Sequence, residues 1–182
     1  MLFTIASILL LASTAFGAAV PAAEHDKRAT ALILPTNQVV ISMFAPDHPF
    51  GSHTWGNVTQ VGSNRQSTMV SFDLPNGYSG SKCSLIFENA EWATGKKTFQ
   101  LFKFIPFNHI SFETTATFNS RTGYPDTTLG DPFVIGTSQG PVYTFDCPSN
   151  PTTLNYDVVP SNGDVSFGWK TPEGGLKLKV GN

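Results

Sequence analysis

The sequence predicts an all-β protein: an antiparallel β-sandwich or jelly roll of about nine or ten short strands with one inter-strand disulfide. Three observations carry this. Apolar residues recur at every second position in one segment after another, the period of a strand with one buried face. No window longer than about ten residues keeps a helical period. The 13 prolines and 16 glycines fall mainly between the alternating runs, where turns belong.

Taken in order, the first candidate strands are residues 38–44 (QVVISMF) and 55–61. In TMVSFDL, Val70, Phe72 and Leu74 share one face, and in CSLIF, Cys83, Leu85 and Phe87 do the same. Pro75, Gly77 and Gly80 lie between them, so Phe72 to Phe87 reads as two strands joined by a turn. Residues 97–105 (KTFQLFKFI) follow, then 106–132, rich in Ser, Thr and Asn, which reads as a loop with one edge strand, then 133–135. VYTFDC sets Tyr143, Phe145 and Cys147 against Thr144 and Asp146. LNYDV sets Leu154, Tyr156 and Val158 against Asn155 and Asp157, which places the latter two outward. DVSFGWK puts Val165, Phe167 and Trp169 on one face, so Trp169 reads as a structural core residue. LKLKV alternates Leu176, Leu178 and Val180 with two lysines, and TPEGG separates it from DVSFGWK, so 164–180 reads as a terminal hairpin. There is no internal repeat and no domain linker.

The amino-terminal stretch has a different character. Leu2 to Val20 is apolar or small, Leu-rich first and Ala/Gly-rich afterwards, as in a secretory signal cleaved near Gly17 or Ala19. A membrane anchor is the alternative, since about 20 apolar residues span a bilayer; Ser7, Ser13, Thr14 and Gly17 and the missing stop-transfer charges weigh against it. Lys27-Arg28 then reads as a dibasic processing site. The organisation expected is a signal peptide over 1–19, a pro-segment over 20–28 and a single sandwich domain over 29–182, secreted and free of the membrane once the signal is removed. The carboxyl end, KLKVGN, carries no hydrophobic tail, so no lipid-anchor signal is expected.

Removing Glu24, Asp26, Lys27 and Arg28 takes two charges of each sign and leaves the net at −2. A near-neutral chain without a basic run argues against nucleic acid and anionic membranes as partners. In a secreted chain the two cysteines, Cys83 and Cys147, both on apolar strand faces, most simply pair with each other and tie the two sheets together. The alternative is a thiol nucleophile with a histidine base, but His48, His53 and His109 carry no nucleophile signature.

No motif for nucleotide, zinc or serine chemistry is present, no carboxylate pair stands out for glycoside hydrolysis, and no metal or cofactor is expected. Asp47, His48 and His53 match no metal spacing; Asp126 and Asp131 could supply oxygens to a structural calcium, but nothing selects it. Asn57-Val58-Thr59 is a glycosylation sequon, whereas Asn150 precedes Pro151 and is excluded. Trp55, in SHTWGN, and Trp92, in the polar stretch ENAEWATGKK, read as loop aromatics; they simply cap the open ends of the core or, as the sharper alternative, stack on sugar rings.

SFDLPNGYSGSKCSLIF, FNSRTGYPDTTLG, FDCPSN and SFGWKTPEGGLKL together resemble the fungal "ubiquitin 3 binding protein" C-terminal domain family over roughly residues 37–180. The resemblance implies a secreted β-rich fold with no assigned activity and no catalytic residues to transfer. It also implies the Cys83–Cys147 pairing and a buried structural role for Arg121, whose forked donors would satisfy loop carbonyls. The family's name reflects association with the activating enzyme of a ubiquitin-like modifier, a role that requires cytoplasmic or nuclear exposure.

The function expected is therefore a secreted, non-catalytic fungal sandwich at the cell wall or in the extracellular space, binding glycan through Trp55 and Trp92. The alternative is a protein-interaction module, either a secreted effector or the modifier-enzyme partner that the family name implies.

Overall fold

The computed structural model describes residues 30–105, 116–136, 140–161 and 163–181; the leader, Lys27-Arg28 and His109 lie outside these residues. Twelve strands and one short helix form among the described residues, and the strands build two antiparallel sheets. The smaller sheet comprises β1 (Ala31–Ile33), β12 (Gly175–Gly181), β5 (Lys82–Glu88) and β9 (Tyr143–Asp146), in that order. The larger runs β6 (Trp92–Gly95), β11 (Val165–Lys170), β3 (Trp55–Val61), β4 (Asn64–Leu74), β10 (Thr152–Pro160), β7 (Thr98–Phe104) and β8 (Asp126–Val134), with β2 (Asn37–Ser42) also on β4.

The main core fills the space between the sheets, and the alternating residues read from the sequence line it. Val70, Phe72 and Leu74 of β4, Phe167 and Trp169 of β11, and Leu176, Leu178 and Val180 of β12 are all buried there. Phe87 of β5 joins the sheets by contacting Phe99, Phe167 and Trp169 at ring distances of 5.1, 5.8 and 5.3 Å. Such aromatic pairs contribute about 0.5–1.5 kcal/mol each beyond area burial.

β4 is the hub of the larger sheet. At Gln66 it pairs with Thr59 on one edge and Ser42 on the other; from Thr68 to Leu74 it pairs with β10. Because a strand has two edges and β2 holds one, β3 and β10 share the other. Where β3 leaves, the Thr68 hydroxyl replaces a backbone partner, accepting from the Asn57 N–H and donating to the Asn57 carbonyl. The reverse face of β4 is also buried. Met69 packs there with Val39, Ile41, Phe104 and Tyr124, under α1 (Phe118–Thr122).

Four expectations change. Residues 164–180 are not a hairpin: β11 and β12 belong to different sheets, so TPEGG is an arch across the core. A period of two with a turn looks the same in both cases. The disulfide Cys83–Cys147 forms, but within the smaller sheet, where Cys83 lies opposite Phe145 and Cys147 follows the end of β9; it does not tie the two sheets together. Between 106 and 132, the sequence pattern shows the edge strand, β8, but not α1, which is too short for a helical period. Asp157 points away from the main core yet is 3% exposed, because the segment carrying α1 covers that face of β10.

The disulfide closes 64 residues, a restriction of the unfolded chain that contributes about 4 kcal/mol in the chain-entropy account. Replacing both cysteines by alanine should therefore lower the denaturation midpoint while leaving the far-ultraviolet dichroism unchanged. An unaltered midpoint would contradict this.

Candidate functional site

β11 lies between β3 and β6, and its inward residues fix its outward ones. Val165, Phe167 and Trp169 face the core, so Ser166, Gly168 and Lys170 face away from it. Residues directly opposite in an antiparallel pair share a face. Trp92 and Asn57 both oppose Gly168, and Trp55 opposes Lys170, so all of these lie on the outer face of one three-stranded ribbon.

Trp92 is not in a loop; it begins β6, and its indole lies across Gly168, where a Cβ would meet Nε1 at 2.8 Å. Only a residue without a side chain leaves room for that ring. Trp55 begins β3 and stacks on His53 with ring centroids 4.6 Å apart. The two tryptophans are 42% and 44% exposed, against 1% for Trp169. From strand spacing and rise, their Cα atoms stand roughly 12 Å apart. Trp92 also forms one wall of a 720 Å³ cleft with Phe87, Glu91, Lys97 and Phe133.

Asn57, the sequon residue, is half-buried in the middle of this face. Its amide nitrogen donates to Gln66 Oε1 at 2.7 Å, and its Oδ1 accepts from the Thr59 hydroxyl at 3.2 Å. Trp169 instead belongs to the core: its Nε1 donates to Gln38 Oε1 at 2.7 Å, and its ring closes over Gly56 and Gly175.

Arg121 lies away from the ribbon, in α1. Thr117 caps that helix by accepting from the Ser120 N–H, while the Ser120 hydroxyl accepts from the Thr117 N–H. The cap presents Arg121 to the reverse face of β10. There its guanidinium bonds carboxylates rather than loop carbonyls: Nε donates to Asp157 Oδ2 and Nη2 to Asp126 Oδ2, each at 3.0 Å, over the Phe104 ring. Asp157 and Asp126 are partners the sequence did not reveal, since the three residues come from three separate elements. Burial raises the Asp157 pKa, and the Arg121 charge partly offsets that rise.

His48, His53 and Asp47 sit in the loop between β2 and β3, where His48 packs on Phe50 and Asp47 accepts from the Asn119 side chain. Among the described residues no three His, Cys, Asp or Glu side chains cluster as metal ligands. Asp126 is committed to Arg121. No described helix is long and apolar enough to cross a membrane.

Removing Arg121 leaves the Asp157 carboxylate buried without its cation. Arg121→Met should therefore cost about 3–5 kcal/mol at neutral pH, read by chemical denaturation. With its folded pKa raised, Asp157 favours folding on the acid side, and that contribution is lost as pH rises through the folded pKa. The defect of Arg121→Met should accordingly shrink on acidification, because a neutral carboxyl needs no counter-charge. A defect equal at all pH values would contradict the assignment.

The family model described as "Ubiquitin 3 binding protein But2 C-terminal domain" matches residues 33–172. No curated protein matches the sequence.

Proposed function

Because the chain belongs to the But2 C-terminal domain family, we propose that it is a non-catalytic binding module, secreted, whose ribbon face contacts extracellular or cell-wall polysaccharide. One observation carries this reading. Trp55 and Trp92 stand half-exposed on a single rigid sheet face, with Trp92 seated flat on Gly168 and bordering a cleft. Flat aromatic surfaces suit the C–H faces of sugar rings, and tryptophans held by a sheet lose little freedom on binding. The compartment is supported by the apolar leader, by Lys27-Arg28 and by a disulfide, which persists in oxidising surroundings.

The family description, which names a binder of ubiquitin 3, supports a second reading in which this chain contacts a protein. Tagging and fractionation test the compartment: a pool kept in the cytoplasm favours the modifier-enzyme partner, whereas complete export fits both the polysaccharide and a secreted effector, which the pull-down below separates.

Pull-down on chitin and β-glucan tests the first reading directly. Trp55→Ala and Trp92→Ala should each weaken binding about tenfold, equal to about 1.4 kcal/mol, without lowering stability comparably. If both variants bind as the wild type does, the stacking assignment is wrong.

A further inference from the structure

The reverse face of the larger sheet holds a second cavity, independent of the tryptophan face. It measures 260 Å³ and is lined by Arg65, Ser67 and Asp157, with apolar walls from Ile41, Phe102 and Phe118. Arg121 also borders it, but its Nε and Nη2 are already spent on Asp157 and Asp126. Two buried polar atoms on the lining form no hydrogen bond of good geometry: Arg65 Nε, a donor, and Asp157 Oδ1, an acceptor on a carboxylate that also interacts with the Ser67 hydroxyl and the Arg65 charge.

Leaving such groups unsatisfied costs about 1–3 kcal/mol each, and more when they are charged. Their chemistry therefore says what would fill the space. An occupant that satisfies both atoms donates to a carboxylate oxygen and accepts from a guanidinium. The two arginines and two aspartates around the cavity balance in charge, which suits a zwitterion better than an ion of either sign. The volume is that of roughly nine waters at about 30 Å³ each, enough for a small molecule but not a polymer. The aromatic and aliphatic walls favour an apolar remainder.

We propose that this cavity binds a free α-amino acid with an apolar side chain, its ammonium on Asp157 Oδ1, its carboxylate on Arg65 and its side chain against Phe102 and Phe118. The ammonium would supply the donor that Asp157 Oδ1 lacks and the carboxylate the acceptor that Arg65 Nε lacks.

Calorimetry and thermal shift on the folded chain, with L-leucine and L-valine as probes, test it. Saturable binding is expected, weakened at least about tenfold in leucinamide, which lacks the carboxylate, and in 4-methylpentanoic acid, which lacks the ammonium. Arg65→Gln should abolish binding while keeping the unfolding transition, because the Arg121–Asp157 pair stays intact; Asp157→Asn should do the same where it folds. Trp92→Ala should bind both amino acids as the wild type does, which separates this site from the polysaccharide face. Absence of saturable binding by either amino acid, as for a cavity holding water alone, overturns the proposal. So do equal binding of the two analogues and indifference to Arg65→Gln.

Discussion

The contact of Phe87 with Phe99, Phe167 and Trp169 holds the two sheets together. The disulfide lies within the smaller sheet, so these rings rather than a covalent bridge fix how the layers meet. Trp169 sets the tightest condition. Its indole occupies the space that side chains at Gly56 and Gly175 would need, and its N–H is bound to the buried Gln38 amide. With Trp169 and Phe167 held inward, Gly168 and Lys170 must face out, and the opposing Trp92, Asn57 and Trp55 follow them. The outer aromatic face is thus a consequence of the inner aromatic packing.

A second consequence runs through β4 and β10, which are buried on both faces. Two-sided burial forces polar residues of these strands to find partners inside the protein. Thr68 does so by standing in for backbone beside β3, and Asp157 by taking Arg121 from the capped helix. The second solution does not use up every polar atom. Asp157 Oδ1 and Arg65 Nε remain without a hydrogen bond on the lining of the smaller cavity. The sheet therefore carries two surfaces of different chemistry: a face bearing the half-exposed Trp55 and Trp92, and a compact cavity lined by Arg65, Arg121, Asp126 and Asp157.

Much of the fold was legible because period-two patterning reports burial directly. Val70, Phe72, Leu74, Phe167 and Trp169 could be assigned to the core from alternation alone, and the pairing of Cys83 with Cys147 from their number and faces. Trp92 was harder, since ENAEWATGKK has the composition of a loop and becomes a strand only by pairing with β11. The Arg121 partners were invisible for a related reason. Asp126 and Asp157 come from other strands, and the amphipathic pattern of LNYDV places Asp157 in solvent unless the covering helix is known.

The sequence by itself determined most of the strands, the core side of those, the cysteine pair and the family, because each rests on local period, composition or short motifs. Tertiary structure alone decided which strands share a sheet. A turn such as TPEGG serves a hairpin or an arch equally well, and only long-range packing chooses between them. The same packing brought Trp55 and Trp92 onto one face and enclosed Asp157 with Arg121 and Arg65. Contacts between residues far apart in the chain leave no periodic trace, so the cavity around Asp157, and the common face of two tryptophans already singled out, could be seen only once the sheets had closed on their aromatic core.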